Sequence, residues 1–255
     1  MLIGRTVRSV RIHNRALRWP VPRGLEKNLS GRRFIAIGRR SKYLLLNCDG
    51  GTLIIHLGMT GHLRCVPDNE SRKKHDHVEL LLDDGRVLRF NDSRRFGAIL
   101  WTNDDPLQHP LLAVLGPEPF DKSFTADYLA ERARNRVIAV KPFLMDAKIV
   151  VGVGNIYASE SLHRAGIDPR RAAGQVSRAA FGRLVRSVKE VLAEAIAAGG
   201  TTIRDFANSD GEPGYFSTNL RVYGREGEPC TTCGAPVRQA RLGQRSTFFC
   251  ARCQR

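Results

Sequence analysis

Four cysteines near the C-terminus follow the pattern Cys-x2-Cys-x16-Cys-x2-Cys, at Cys230, Cys233, Cys250 and Cys253. Each Cys-x2-Cys pair places two thiolates on one tight turn, and two such turns complete a tetrahedral zinc site with sulfur ligands. Because the protein fills every ligand position, the spacing predicts one structural zinc with no position open to water. A plain structural clip or a pair of disulfides is the alternative explanation of the same spacing.

The segment between the two cysteine pairs is long enough for a hairpin but too short for a domain. Residues 237–242 and 246–249 are predicted to form its strands, with Gly243 at the tip. The segment also carries several basic side chains, Arg245 among them. A rigid, basic hairpin held by zinc is suited to placing an arginine against a phosphate.

The chain is strongly basic. Its 255 residues include 41 Lys and Arg against 25 Asp and Glu, which gives a formal charge of +16 and a pI near 10.3. This excess favours binding to a polyanion, most simply nucleic acid, although a solvated basic surface has the same composition. The basic residues are spread along the chain, which is typical of a folded binding face rather than a disordered arm.

The sequence carries no signal for secretion or membrane insertion. It has no charged-then-apolar leader and no apolar run of 18 residues. Cys48 and Cys65 lie in apolar, strand-like segments, and both are expected to be buried thiols outside any disulfide framework. We therefore expect a soluble protein of a reducing compartment.

The order of secondary structure predicts an α+β protein with several domains. Residues 1–102 contain short apolar runs without helical periodicity, which indicates a sandwich or a barrel. Within them, residues 78–90 are predicted to form a hairpin whose turn is Asp84-Gly85. The proline-rich segment 103–119 is interpreted as a linker.

Helical periodicity follows the linker. Apolar residues at helical spacing over 181–196 predict one long helix that ends at Gly199-Gly200, and residues 156–165 predict a shorter helix that ends at Gly166. Gly152 and Gly154 precede the shorter helix, where free amides favour an anion such as a backbone phosphate. An ordinary helix corner with Asn155 as its cap fits this pattern equally well.

Several side chains at predicted turns are candidates for DNA contacts. Met59 lies in a Gly-Met-Thr-Gly turn, and Arg94 and Phe96 lie in a second turn, Asp-Ser-Arg-Arg-Phe-Gly. DNA-kinking proteins insert such side chains between base steps, although either apolar residue alone is more often part of a core. Lys42, at the start of an apolar strand, is either an ordinary strand-end charge or an amine that faces a groove.

Two further segments suggest polar surfaces. In Lys-His-Asp-His, the rings of His75 and His77 share one face of a strand, and with no third metal ligand nearby they are interpreted as a DNA-facing pair. The glycine-rich stretch SDGEPGYF is predicted to be a surface loop or a lid over an extruded base.

Along its length the chain resembles the bacterial formamidopyrimidine-DNA glycosylases, which excise oxidised purines and then nick the abasic strand. The matching stretches keep the family's order, and this coverage is more specific than any single motif. SDGEPGYF also favours this branch over the related oxidised-pyrimidine glycosylases. The stretches are ALRWP, RRSKYLLL, IIHLGMTGHLR, KHDHVEL, DSRRFGAILW, LGPEP, KPFLMD, VGVGNIYASESL, AGGTTIRDF, SDGEPGYF, VYGREGEPC and QRSTFFC.

The resemblance implies an N-terminal β-sandwich over 1–102, the linker 103–119, a helix–two-turn–helix domain over 120–212, and a zinc finger with the end of the lesion loop over 213–255. It implies DNA in the cleft between the two lobes, zinc as the one cofactor, and double-stranded DNA with an oxidised purine or an abasic site as the partner. A monomer in the bacterial cytoplasm, associated with the nucleoid and not with a membrane, is expected.

The resemblance also implies roles for particular residues. Lys42 corresponds to the lysine near the abasic site, and Arg245 to the finger arginine that grips phosphates beside the flipped nucleotide. Met59, Arg94 and Phe96 correspond to the side chains that fill the void left by the flipped base. The residues implied as DNA contacts or as lining the cleft are His75, Arg94, Arg136, Lys141 and Asn155.

The start of the chain departs from the family pattern. Family members begin with Pro-Glu after removal of the initiator methionine, and the proline amine is the nucleophile. This sequence begins Met1-Leu2-Ile3, so the printed chain is expected to lack that nucleophile. Two interpretations stay open: the start site lies upstream of Met1, or the protein is a noncatalytic relative that binds damaged DNA. A zinc-ribbon RNA-binding protein is a third, weaker interpretation.

Overall fold

The computed structural model describes residues 2–199 and 220–255. The SDGEPGYF stretch and the part of AGGTTIRDF beyond Gly199 lie outside the described residues. The chain divides into two compact units, Met1–Ala113 and Val114–Arg255.

The first unit is a β-sandwich of two antiparallel sheets, as predicted. One sheet has the strand order β1-β6-β7-β5, and the other has the order β2-β3-β4-β8. A short helix α1, Leu25–Leu29, follows the first strand. The strands are β1 Val7–Ile12, β2 Phe34–Arg40, β3 Tyr43–Cys48, β4 Gly51–His56, β5 His62–Pro67, β6 Asp76–Leu82, β7 Arg86–Asn91 and β8 Ala98–Thr102.

Alternating apolar side chains from both sheets form the core of this sandwich. Leu53 and Ile55 of β4 and Phe90 of β7 are almost fully buried in one cluster. The β6–β7 hairpin pairs Leu80 with Leu88, and Gly85 in its turn has a φ of +79°, which confirms the predicted turn. The pairing register of the strands therefore determines which side chains face the core and which face solvent.

The two cysteines outside the C-terminal pattern differ in environment. Cys48 is buried, and burial raises the pKa of its thiol to about 12. Cys65 is exposed, so the expectation that both thiols are buried is wrong. Cys65 lies on β5, which is at the edge of its sheet among the described strands, and an apolar sequence does not reveal that position.

The segment interpreted as a linker contains local structure. A 3-10 turn covers Pro106–Gln108, and a single-turn helix α2 covers Pro110–Ala113. The Asp105 side chain accepts a hydrogen bond from Leu107 N–H and caps the 3-10 turn. The boundary between the two compact units falls directly after α2.

The second unit combines helices with a C-terminal hairpin. Helix α5 ends at Gly166, which adopts the left-handed conformation with a φ of +68°, and α6 begins behind a Ser177 cap. Among the described helices, none has the length and apolar character needed to cross a membrane. The helices are α3 Ala126–Ala133, α4 Val140–Met145, α5 Asn155–Ala165 and α6 Arg178–Ala197, and the hairpin strands are β9 Arg238–Leu242 and β10 Arg245–Phe249.

Candidate nucleic-acid interface and metal centre

The four C-terminal cysteines converge on one point. Their sulfur atoms all lie within 4.8 Å of one another, and two of the four residues are buried. The Sγ–Sγ distances are 3.9 Å between Cys230 and Cys253 and 3.5 Å between Cys233 and Cys250. Both distances exceed the roughly 2.05 Å of a disulfide bond, so the geometry favours a metal site over a pair of disulfides.

The chemistry of the donor set fits a zinc ion. Burial, together with hydrogen bonds to the three neighbouring thiols, raises the pKa of Cys253 to about 12. Four thiolates this close repel one another, so a divalent cation is needed for all of them to ionise. Among the described residues this is the one cluster of metal-ligating side chains, and it fits a single structural zinc.

The cysteine cluster is tied to helix α5 by polar contacts that the sequence analysis missed. His163 Nε2 lies 3.5 Å from Cys230 Sγ. The Gln254 side chain accepts a hydrogen bond from Cys250 N–H and donates one to the carbonyl of Ile167, both at 2.8 Å. The zinc site is therefore continuous with the helical core of its unit.

The hairpin between the cysteine pairs presents Arg245 to solvent. Leu242 pairs with Arg245, and the two residues between them, Gly243 and Gln244, have φ values of +52° and +60°. Two positive φ values are typical of a type I′ turn, whose twist matches the flanking strands. The exposed Arg245 side chain therefore projects from a rigid position at the first residue of β10.

Lys141 lies beneath this hairpin. Its side chain is buried, and Nζ donates hydrogen bonds to the Ser246 carbonyl and to Thr247 Oγ1, both at 2.8 Å. Burial lowers the pKa of the Lys141 amine to about 8. The amine is thus directed at the backbone of the strand that carries Arg245, and its predicted role as a residue lining the DNA cleft stays a prediction.

A second buried group fixes the segment that leads into the hairpin. The Glu160 carboxylate of α5 accepts hydrogen bonds from the backbone N–H groups of Arg221, Val222 and Tyr223 at 2.9 to 3.0 Å. The Tyr223 hydroxyl in turn accepts a hydrogen bond from Asn155 Nδ2 at 3.2 Å. Sequence reasoning selected Asn155 but not Glu160 or Tyr223, because no local pattern links α5 to residues this distant in sequence.

In the first unit, the predicted wedge residues lie on two neighbouring loops. Met59 and Phe96 are 56% and 42% exposed, and the two loops that carry them are in backbone contact at Gly58 and Phe96. The Arg94 guanidinium lies 4.7 Å from the centre of the Phe96 ring, a cation–π contact. The three side chains that the sequence selected are therefore accessible together.

Lys42 is exposed at the turn between β2 and β3, next to His56 of β4. Burial, and then the positive charges of Lys42 and Arg18, lower the pKa of His56, whose ring also lies 4.9 Å from that of Tyr43. His56 Nδ1 accepts a hydrogen bond from Gly58 N–H at 3.1 Å, which connects the Lys42 side of the sheet to the Met59 turn. No sequence motif marks His56 as a site residue.

The two histidine rings of the Lys-His-Asp-His segment lie 6.2 Å apart, but they differ in exposure. His75 is partly exposed, whereas His77 is 5% exposed and its Nε2 bonds the carbonyl of Asp92 at 2.8 Å. The prediction that both face DNA is therefore wrong for His77, because its ring is used to anchor the loop that follows β7.

In the second unit, Arg136 is exposed in the loop before α4.

Comparison with known proteins identifies the domains. Residues 1–99 match the formamidopyrimidine-DNA glycosylase N-terminal domain. Residues 115–207 match the formamidopyrimidine-DNA glycosylase H2TH domain. Residues 227–255 match a zinc finger found in FPG and IleRS.

Individual relatives extend over nearly the whole chain. A formamidopyrimidine-DNA glycosylase of Nitrosococcus oceani is 52% identical over 99% of this chain and 93% of its own length. The corresponding protein of Acidithiobacillus ferrooxidans is 56% identical, over 100% and 94%.

Solved structures of proteins named Fpg are also similar to nearly the whole chain. A complex of Lactococcus lactis Fpg with DNA that contains an abasic site has a TM-score of 0.88 at 32% identity, over 100% of this chain and 94% of that one. The Thermus thermophilus Fpg structure has a TM-score of 0.86 at 38% identity, over 99% and 92%.

The cysteine cluster generates a prediction about metal content. We expect Cys253→Ser to lose the zinc and weaken DNA binding, because three thiolates hold the ion poorly, while the sandwich of the first unit stays folded. Cys65→Ser, which removes an exposed thiol outside the cluster, should keep one zinc per chain. Metal analysis and fluorescence anisotropy with duplex DNA measure both properties. Full zinc and full affinity in Cys253→Ser would contradict the assignment.

The buried amine of Lys141 generates a prediction about pH. Its pKa is about 8 in the folded protein, against an ordinary value of 10.5, so the unfolded chain binds more protons between those pH values. The free energy of unfolding should therefore rise with pH across that window, relative to Lys141→Met. Lysine ε-carbon NMR should also show one midpoint near pH 8 that Lys141→Met removes. A difference in stability that stays flat from pH 8 to 10.5 would rule out the lowered pKa.

Proposed function

The chain belongs to the formamidopyrimidine-DNA glycosylase family, and from this we propose that it removes oxidised purines from duplex DNA and cleaves the abasic strand. The observation that carries the proposal is the match along the whole chain, at 52% to 56% identity to relatives with this name. A match confined to the zinc finger would leave many DNA- and RNA-binding functions open.

The substrate class follows from the solved relatives. Lactococcus lactis Fpg is known in complexes with DNA that contains an abasic site and with DNA that contains Fapy-dG. We propose double-stranded DNA with a formamidopyrimidine, an 8-oxoguanine or an abasic site as the partner of this chain. Binding to DNA would also place the protein on the bacterial nucleoid.

The exposed basic side chains support phosphate contacts. Arg245 projects from a hairpin whose backbone is held by Lys141 and the cysteine cluster, and Arg136 and Lys42 are exposed on loops. A guanidinium donates paired hydrogen bonds to phosphate oxygens, and fixing its backbone reduces the entropy lost on binding. We assign Arg245 to the phosphates beside the flipped nucleotide, Arg136 and His75 to other DNA contacts, and Asn155 to the lining of the DNA-binding surface.

The exposed wedge supports base extrusion. Taking a base out of the stack costs a few kcal/mol, and side chains that fill the resulting gap offset part of this cost. Met59, Arg94 and Phe96 offer an apolar chain, a guanidinium and a ring on adjacent loops. We propose that they occupy the space that the lesion leaves when it flips out.

The chemistry requires an amine. Attack of the amine on C1′ breaks the bond to the base, which leaves with a proton. The C1′–O4′ bond then breaks, O4′ takes up a proton, and C1′ forms an iminium with the amine. This iminium acidifies neighbouring sugar protons, so that the 3′ and 5′ phosphates are eliminated in turn. In the family this amine is the secondary amine of an N-terminal proline. Pro20 and Pro22 cannot replace it, because both nitrogens lie in peptide bonds. Lys42 carries a primary amine, which can form an imine with a preformed abasic site.

We therefore predict different activities for two versions of the protein. A polypeptide that starts at Met1 should bind lesion DNA without excising oxidised guanine, whereas a version extended with the family's Pro-Glu segment should excise it. On a duplex without a preformed abasic site, borohydride should trap a covalent adduct with the extended version only. The assay uses a duplex with one 8-oxoguanine opposite cytosine. Excision by the version that starts at Met1 would refute the amine assignment, and no excision by the extended version would favour a noncatalytic binder.

A further prediction concerns Arg245. Arg245→Ala should weaken binding to abasic-site DNA and reduce the slope of log affinity against log salt by about 0.9, the amount expected for one phosphate contact. Arg238→Ala is the matched control, since it removes the same charge from the neighbouring strand of the hairpin. Titrations at several salt concentrations measure both slopes. Equal slopes for the two variants would show that Arg245 makes no special contact.

A further inference from the structure

The loops that carry Met59 and Phe96 touch through their backbones. Gly58 has a φ of +66°, and a Cβ on it would lie 2.6 Å from the carbonyl carbon of Phe96. No side chain therefore fits at Gly58, and the Met59 turn rests directly on the second loop. Contact alone does not fix the two loops in register, because two packed backbones can slide.

A hydrogen-bond relay through Thr60 supplies that register. The Thr60 hydroxyl donates to Asp92 Oδ1 at 2.6 Å, and the same oxygen accepts from Arg94 N–H at 3.2 Å. One hydroxyl on the Met59 turn thus bonds both the residue at the start of the second loop and the backbone of a wedge residue. Only a side chain that donates and accepts at once can fill this place.

Asp92 holds the other end of the second loop. Its side chain is fully buried, and Oδ2 accepts a hydrogen bond from Gly97 N–H at 2.7 Å. Its carbonyl accepts from the buried His77 ring at 2.8 Å. The carboxylate therefore spans the loop from its first residue to its last, with one oxygen on each side.

The loop needs such restraint. Arg95, between the two wedge residues Arg94 and Phe96, has a φ of +58°, in the left-handed region that is strained for a residue with a side chain. Strain of this kind persists only where surrounding contacts fix the conformation. The bonds to Gly97 N–H and Arg94 N–H lie on either side of Arg95 and hold it in that conformation.

We propose that Thr60 and Asp92 are positioning residues that lock the two loops together, so that Met59, Arg94 and Phe96 enter DNA as one preformed unit. The inference rests on the proposed function, since it takes these three side chains as the wedge. Neither positioning residue needs to touch DNA. Their effect is to reduce the conformational freedom that the wedge loses on insertion.

The substitution Thr60→Val tests the lock with little change in shape. Valine keeps the volume but leaves Asp92 Oδ1 and Arg94 N–H without their partner. We expect base extrusion to slow about tenfold, as the loss of a part-buried hydrogen bond to a carboxylate implies. Thr60→Ser retains the hydroxyl and should restore the parent rate. Affinity for undamaged duplex and its salt dependence should stay unchanged in both variants.

The measurement is stopped-flow fluorescence of 2-aminopurine placed next to an 8-oxoguanine in a short duplex, with the 255-residue chain, so that the loss of stacking reports extrusion of the lesion. Met59→Ala and Phe96→Ala serve as reference variants. If they slow extrusion and Thr60→Val does not, the lock is refuted while the proposed function stands. If Met59→Ala and Phe96→Ala also behave like the parent, the wedge itself is wrong.

Two additional experiments separate positioning from general destabilisation. In a double-mutant cycle, Thr60→Val should add little to Met59→Ala if both act through the wedge, whereas additive effects would refute the lock. Asp92→Asn provides a second route should Thr60→Val fold poorly. Its side chain has one acceptor oxygen in place of two, so it should also slow extrusion, and a parent-like rate would overturn the proposal.

Discussion

Buried carboxylates that bind backbone amides are the interaction on which both candidate surfaces depend. The Glu160 carboxylate accepts hydrogen bonds from three backbone N–H groups ahead of the zinc finger. The Asp92 carboxylate accepts one hydrogen bond from the Thr60 hydroxyl and one from Gly97 N–H, at the loops that carry Met59 and Phe96. A buried carboxylate without partners would be strongly destabilising, so each one ties down the segment that it bonds. The loops proposed to contact DNA are exposed, and buried carboxylates fix their backbones through hydrogen bonds.

The second unit shows how this principle combines with a metal. Helix α5 buries polar side chains, including Glu160 and His163, that face the zinc finger and the segment leading to it. Lys141, more than 100 residues earlier in the sequence, donates two further hydrogen bonds to β10. The four cysteines suffice to bind one zinc ion. The direction in which Arg245 projects depends on these polar contacts as well as on the metal site.

Periodic segments and closely spaced motifs were predicted well. The Asp84-Gly85 turn, helix α6, the end of α5 at Gly166 and the C-terminal hairpin are local in sequence, so propensity and spacing specify them. Cys65 and His77 were predicted incorrectly, because exposure depends on which strand lies at a sheet edge and which ring packs under a loop. A single strand sequence contains neither fact.

The sequence by itself determined the family and the four clustered cysteines, and it selected the three proposed wedge side chains, because each is a matter of residue type at a fixed spacing. Only the tertiary structure decided what holds them in place. Glu160 and Tyr223 lie 63 positions apart, and Thr60 and Asp92 lie 32 apart. Hydrogen bonds over such separations form only after folding brings the partners together, and no sequence period encodes them.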